Sequence, residues 1–142
     1  MAPIRETLRV RYGECDPQGV VFNANYLLYA DVAATELWRA AIGGYDALPR
    51  DYGVDVLVAA AQVRFLSPLH HDDEIDLEAG IVHTGNTSFV IGTRIWRGDE
   101  IVAEIRNRAV FIEPGGNTKT AMPDEIRTKL EAFAVDWAAE VD

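Results

Sequence analysis

The chain carries a single thiol, Cys15. No intrachain disulfide can form, and no cluster of thiolates is available for zinc. That usage fits a reducing compartment, so a cytoplasmic location is expected. Cations are scarce too: 13 Lys and Arg stand against 23 Asp and Glu, a formal net charge of −10. Phosphate-backbone binding needs clustered lysine and arginine, so nucleic acid is a poor partner, and an anionic membrane surface is no better. Long apolar runs are missing as well. The longest, around Tyr26–Ala34, contains Asp31 and is too short to span a bilayer. The opening Met-Ala-Pro-Ile-Arg-Glu-Thr lacks the apolar core of a signal peptide. What remains is 142 residues, 49% of them apolar, enough for one domain with one real core, so residues 1–142 are read as a single domain.

Hydrophobic periodicity places the elements. Thr7–Tyr12 alternates like a half-exposed strand. Asn25–Ile42 is a helix, with Tyr26, Tyr29, Ala30, Ala33, Leu37 and Trp38 at helical spacing and Gly43-Gly44 as its stop. Its polar residues are so few that it should be covered on most of its circumference. Tyr45–Asp55 reads as an irregular connection, and Val56–Leu66 as a buried strand. Ile75–Val82, Phe89–Trp96 and Ile101–Ile112 alternate, with hairpin signals at His83–Asn86 and Gly98-Asp99, and so predict an antiparallel meander. Pro123–Trp137 reads as a short C-terminal helix. One helix too apolar for solvent followed by long antiparallel strands predicts an α+β fold: a sheet of about five strands wrapped around one long central helix, the hotdog arrangement. A sheet with an open edge invites a second copy, so a homodimer or homotetramer is expected.

Chemistry concentrates in Arg11–Tyr26, RYGECDPQGVVFNANY. Asp16-Pro17-Gln18-Gly19 is a turn in which proline presets φ and aspartate can bond its own backbone. Val20-Val21-Phe22 should be buried, which stands Asp16 at the lip of an apolar space. Asn23, Ala24 and Asn25 lead into the helix, whose first N–H groups lack partners. Two readings stay open. Asp16 shapes a turn, or it works on a carbonyl whose oxyanion those N–H groups hold. Gly13 and Gly19 serve the backbone, letting it turn sharply and approach a substrate. Tyr26 and Tyr29 either line the pocket or pack with a satisfied hydroxyl.

Other candidates read more blandly. Asp31 and Glu36, on the central helix, are hydrogen-bonded core or interface carboxylates or a functional pair. His70-His71-Asp72-Asp73 is a solvated loop, because neighbouring side chains there point apart and no third ligand follows. Cys15 is a small buried residue, since an adjacent carboxylate raises a thiol's pKa. Trp38, Trp96 and Trp137 belong to core or interface.

The Arg11–Tyr26 segment resembles the signature of 4-hydroxybenzoyl-CoA thioesterase-like hotdog proteins. In these a glycine and an acidic residue precede an aspartate by three and two positions. A glycine follows three later, then an aliphatic–Val–aromatic run, and a tyrosine four after the aromatic. The likeness covers nearly the whole chain in element order. It implies a thioesterase in which Asp16 is the catalytic carboxylate, attacking the thioester or activating water. It also implies that the backbone N–H at Asn23 polarises the thioester oxygen, with Gly19, Val20, Val21, Phe22, Asn25 and Tyr26 around the substrate. No metal and no cofactor is implied, coenzyme A being part of the substrate. Relatives that place basic residues after the third strand to grip the phosphates differ from this chain, which reads His83–Ser88 there; Arg64, Arg94, Arg97, Arg106 and Arg108 are substitutes whose facing sequence does not decide. Rival readings are an acyl-CoA-binding module without turnover, a thioesterase acting on acyl carrier protein, and a hotdog dehydratase, which would want a histidine beside its acid.

Overall fold

A computed structural model describes residues 3–137. Its elements run β1 (Ile4–Arg9), a single 3-10 turn (Tyr12–Glu14), α1 (Asn25–Ile42), α2 (Ala47–Tyr52), β2 (Asp55–Phe65), β3 (Glu74–Thr84), β4 (Ser88–Arg97), β5 (Glu100–Ile112) and α3 (Asp124–Glu131). The five strands form one sheet in the order β1-β3-β4-β5-β2, and every pair is antiparallel. α1 lies on one face through Ala30, Ala33, Ala34, Leu37 and Trp38, all buried. Opposite it are the inward residues of the meander, among them Leu77, Ala79, Ile91, Ile95 and Ile105. The alternation that predicts the meander therefore holds, with those strands one to three residues longer than the expected runs.

Several sequence expectations are corrected. β1 starts and ends earlier than Thr7–Tyr12, because the Val10 N–H donates to Asp73 O and the chain then coils into the 3-10 turn. Tyr45–Asp55 is not irregular: Ala47 and Leu48 are buried and nucleate α2, which Gly53 stops with φ of 65°. β2 is apolar yet not buried. It pairs with β5 alone, and Val58 is 65% exposed on this free edge. α1 is not covered all round either, since Leu28 is 62% exposed.

The C-terminal helix stops at Glu131 rather than running to Trp137. Beyond it the chain becomes a strap along the part of β3 that β1 leaves uncovered. There the Ile81 N–H donates to Phe133 O and the Val135 N–H to Ile81 O, both at 2.9 Å. The strap then crosses to the sheet's other face, where Gly80 and Gly92, paired across β3 and β4, make a notch for Val135 and Trp137. The Trp137 ring also stacks on the Arg94 guanidinium at 4.4 Å.

Two clasps fix the segment between β1 and α1. Glu14 Oε1 accepts from the Arg11 N–H (2.8 Å) and the Tyr29 hydroxyl (2.7 Å). Its backbone oxygen accepts from Asn25 Nδ2 (2.8 Å) and the Phe22 N–H (3.0 Å). The second clasp holds the loop before β3. Arg97 Nη1 donates to Asp73 Oδ2 (3.0 Å) and Pro68 O (2.9 Å), and the His70 N–H donates to the same carboxylate (2.8 Å). That loop in turn carries the site segment, since the Val21 N–H donates to Leu69 O at 2.8 Å.

Two tests follow from this packing. A methyl at Gly80 would stand 2.9 Å from Phe133 O, which cannot swing aside. Gly80→Ala should therefore loosen the strap and cost about 1–3 kcal/mol, read as a lower Tm together with a change in tryptophan fluorescence. Burial pushes the Asp73 carboxyl up, but the His70 N–H and Arg97 outweigh it and hold the pKa below the usual range. A folded-state pKa below the unfolded one stabilises above the unfolded pKa, and the gain is lost as pH falls through the folded pKa. Asp73→Asn should thus be less stable than wild type at pH 7, with the gap closing as acid is added below about pH 4; a pH-independent gap in urea unfolding would contradict this.

Candidate active site

Asp16 sits in a turn of its own making. Its Oδ1 accepts from the Gln18 N–H and its backbone oxygen from the Gly19 N–H, each at 2.8 Å, while its own N–H donates to Val20 O at 2.9 Å. Gly19 has φ of 81°, which only glycine adopts without strain. The turn-forming reading of Asp16 is realised in this geometry. It engages one carboxylate oxygen only: Oδ2 makes no hydrogen bond with a described residue. The half-buried carboxylate lines an open concavity of about 400 Å³ with Tyr12, Cys15, Pro17, Gly19 and His71.

The helix start lies on the other side of the same segment. The Phe22 N–H turns back to Glu14 O, and the Asn25 N–H donates to Phe22 O. Between them the N–H groups of Asn23 and Ala24 have no acceptor among the described residues. They stand at the positive end of an 18-residue helix whose N-cap, Ala24, brings no side-chain cap. Asn23 lines a second concavity of about 260 Å³ with Val20, Val21, Tyr26 and Phe65–Pro68. Asp16 and Asn23 thus flank the Pro17–Phe22 segment instead of sharing one hollow.

The remaining expected site residues divide clearly. Val20, Val21 and Tyr26 face the Asn23 side, and Gly19 faces the Asp16 side. Phe22, expected to be buried, is 48% exposed because its backbone is turned back toward Glu14. The Asn25 side-chain amide donates to Glu14 O, which braces the turn. Tyr29 is a packing residue, and Tyr26 packs on Phe65 while lining the Asn23 concavity. Burial and then the Glu14 carboxylate raise the Tyr29 pKa, and burial raises that of Tyr26, so both hydroxyls stay protonated. Cys15 is half-buried rather than buried. Glu36 pairs with Arg39. Asp31 is exposed rather than a core carboxylate, at the edge of the cavity described next. In the His70–Asp73 loop the Asp73 side chain makes the clasp, the Asp72 backbone bonds Val10 and Arg9, and His71 lines the Asp16 concavity against the Tyr12 ring.

The arginines offered as phosphate holders also divide. Arg97 belongs to the loop clasp, and Arg64 and Arg94 lie beside Glu104. Arg106 and Arg108 line a shallow groove of about 250 Å³ with Ala60 and Gln62, on the face away from α1. Neither has a carboxylate within ion-pair reach among the described residues.

A third space, of about 370 Å³, lies between α1 and the sheet. Trp38 and Phe89, whose rings meet edge to face at 5.6 Å, form much of its wall, with Ala34, Val56 and Ile91. Tyr45 stands at the same cavity, its pKa pushed up to about 12 by burial and by the nearby Asp31 charge. On the floor is Asn107, which sequence reading passes over. The signal was present: inward positions on β5 alternate through Ala103, Ile105, Ala109 and Phe111, and 107 is the one polar member of that row.

With this geometry in view, comparison with known proteins is direct. The thioesterase superfamily model matches residues 18–104, more than half of the chain. The acyl-CoA thioester hydrolase YbgC of Escherichia coli is 28% identical over 123 residues, which span 86% of this chain and 91% of YbgC. A crystal structure from Aquifex aeolicus superposes with a TM-score of 0.81 at 25% identity, covering 90% of this chain and 99% of that one. Slr0204 of Synechocystis, a 1,4-dihydroxy-2-naphthoyl-CoA thioesterase, superposes with a TM-score of 0.79 at 16% identity, covering 89% and 93%, a likeness of fold. By architecture and by the match along its length, the chain belongs to the thioesterase superfamily, with the hotdog fold.

Proposed function

We propose that the protein hydrolyses an acyl-CoA thioester to a free carboxylic acid and coenzyme A, with Asp16 as the catalytic carboxylate. The observation that carries this is the pairing, across one short segment, of the unengaged Asp16 Oδ2 with the unengaged N–H groups of Asn23 and Ala24. A thioester laid over Gly19–Val21 meets the carboxylate on one side and the donors on the other. As negative charge grows on the thioester oxygen, the two N–H groups and the helix dipole stabilise it, a contribution of roughly 3–4 kcal/mol per well-aimed donor. Asp16 then serves in one of two ways. In direct attack its oxygen bonds to the acyl carbon, the C–S bond breaks, the thiolate leaves and takes up a proton, and water opens the resulting anhydride. In base catalysis Asp16 takes the proton of a water whose oxygen adds to the acyl carbon, and the thiol leaves with that proton. Each route consumes one water and needs no cofactor beyond the coenzyme A of the substrate. The likeness to YbgC supports coenzyme A as carrier. A net charge of −10 disfavours an acidic carrier protein.

The same reading includes a homo-oligomer built on a dimer joined along β2. This strand shows an unpaired edge, with Leu57 and Val58 at 48% and 65% exposure, and α1 adds half-exposed Leu27, which lines the cavity beneath the helix with them. An apolar free edge of this length is otherwise an aggregation site. Among the described residues no helix is long and apolar enough to cross a membrane. The single, unpaired cysteine supports a cytoplasmic location.

Asp16→Asn retains an acceptor for the Gln18 N–H, so the fold should persist with an unchanged Tm. Turnover should fall by roughly 10²–10⁴-fold in thiol release across a panel of acyl-CoAs; full activity in the variant would overturn the assignment. A single turnover in ¹⁸O-water separates the routes, since label enters Asp16 itself only after direct attack. Wild type should sediment at a multiple of the chain mass, and Val58→Lys should shift it toward the monomer. A wild-type monomer at micromolar concentration would contradict the β2 interface.

A further inference from the structure

The cavity beneath α1 shares no lining residue with either concavity at the Asp16 turn, and the chemistry above does not use it. Its volume of about 370 Å³ falls in the range of small-molecule sites, roughly 300–1,000 Å³. Its walls are apolar and aromatic, which suits a compact apolar group.

Asn107 is the anomaly in it. It lies in the middle of the sheet, opposite Ala61 on β2 and Ile91 on β4, with its side chain on the face that α1 covers. The residue is half-buried, and its Oδ1 is shielded from solvent with no hydrogen-bond partner among the described residues. No other hydrogen bond to its amide is made by a described residue. Buried polar groups are nearly always satisfied, and an orphan calls for an explanation. A leucine or valine here would extend the apolar row and avoid the penalty of an unpaired amide. Ala61, directly across, leaves the space over the amide open. The site is therefore apolar over most of its walls and polar at Asn107 on its floor, with Asp31 and Tyr45 at its edge.

We infer that Asn107 determines acyl specificity: the cavity receives the apolar body of the acyl group, and the Asn107 amide hydrogen-bonds an oxygen substituent carried on that body. A hydroxyl fits best, because it both donates and accepts and so matches either orientation of the amide. An acyl group lacking that oxygen would leave the amide unpaired, which is how a buried polar group rejects a purely apolar analogue. This inference rests on the acyl-CoA thioesterase reading, and its test is chosen to separate the two.

The test uses pairs of acyl-CoAs that differ by one hydroxyl, such as phenylacetyl-CoA and its ring-hydroxylated isomers, and hexanoyl-CoA and its hydroxylated isomers. Wild type should favour one hydroxylated isomer over its parent by about 10–100-fold in kcat/KM. Asn107→Leu should bring that ratio to near one, chiefly by losing the hydroxylated substrate, and should raise Tm. Asn107→Ser, which keeps a hydrogen-bonding group on a smaller side chain, should retain part of the preference and serves in its place if the leucine variant does not fold. Equal rates for both members of every pair in wild type would overturn the inference. So would variants that slow both members alike, the signature of a merely structural residue. Should wild type release thiol and Asp16→Asn fail to, while no pair shows a preference, the thioesterase reading stands and only the Asn107 assignment falls. Absence of thiol release from every substrate removes both.

Discussion

The arrangement depends on how closely α1 can approach the sheet. After Tyr26 and Tyr29, the middle of its contact face is alanine: Ala30, Ala33 and Ala34 are 1%, 0% and 7% exposed. Small side chains bring the helix down onto Leu77, Ala79 and Ile81 without forcing the strands apart. Further along, Leu37 and Trp38 take over, both wholly buried. At about 1.5–3 kcal/mol for each large apolar side chain removed from water, this face outweighs any surface ion pair, which contributes about 0–1 kcal/mol. The change from alanine to tryptophan also leaves room between helix and sheet toward β2, where the cavity lies. A bulkier residue at position 33 or 34 would lift the helix, and the start of α1 would move away from the Asp16 turn.

That start is fixed a second time, by carboxylates. Glu14 joins the turn to α1 through the Tyr29 hydroxyl, and Asp73 joins the loop under Val21 to β4 through Arg97. Each removes a few residues of freedom from a segment that has no regular structure of its own. The ion pairs along β1, such as Arg5 with Glu78, are more exposed and do a different job: they favour the register in which Ile4 and Leu8 face the core. Burial chooses the face, and charge chooses the alignment.

Much of this was legible in the sequence. The α1 boundaries follow from apolar spacing and the Gly43-Gly44 stop, and the meander follows from strict alternation with hairpin signals between runs. β2 was misread for a physical reason. A continuous apolar run has the same pattern whether the strand is buried by its own chain or stands at an edge, and only the sheet order separates the two. α2 was missed because six residues containing Pro49 carry no periodicity. The strap was read as helix because Phe133, Val135 and Trp137 are apolar, but what they need is a notch, and Gly80 and Gly92 are 12 residues apart in sequence and paired only in the sheet. At the site, local motifs were readable and long-range hydrogen bonds were not. The bond from the Asn25 amide to Glu14 O is one of these, with no local signal in the sequence.

Hydrogen-bond accounting then separates the polar groups that build the fold from those left for a ligand. Glu14, Asn25, Tyr29, Asp73 and Arg97 all have partners within the chain, and each partner lies on a different element, as a brace requires. Among the described residues, the groups without such partners include Asp16 Oδ2, the N–H pair of Asn23 and Ala24, and the Asn107 amide. They also differ in chemistry: one is a charged acceptor, one a pair of fixed donors, and one a neutral group that can do either. A carboxylate and fixed donors suit a carbonyl that gains negative charge as it reacts. A neutral amide in an apolar cavity suits the part of a molecule that does not react but must be recognised. Folding alone does not explain the Asn107 amide, whose Oδ1 is shielded from solvent without a partner among the described residues. The placement of these groups at the start of α1 and beneath its middle lets one helix set the distance between reaction and recognition.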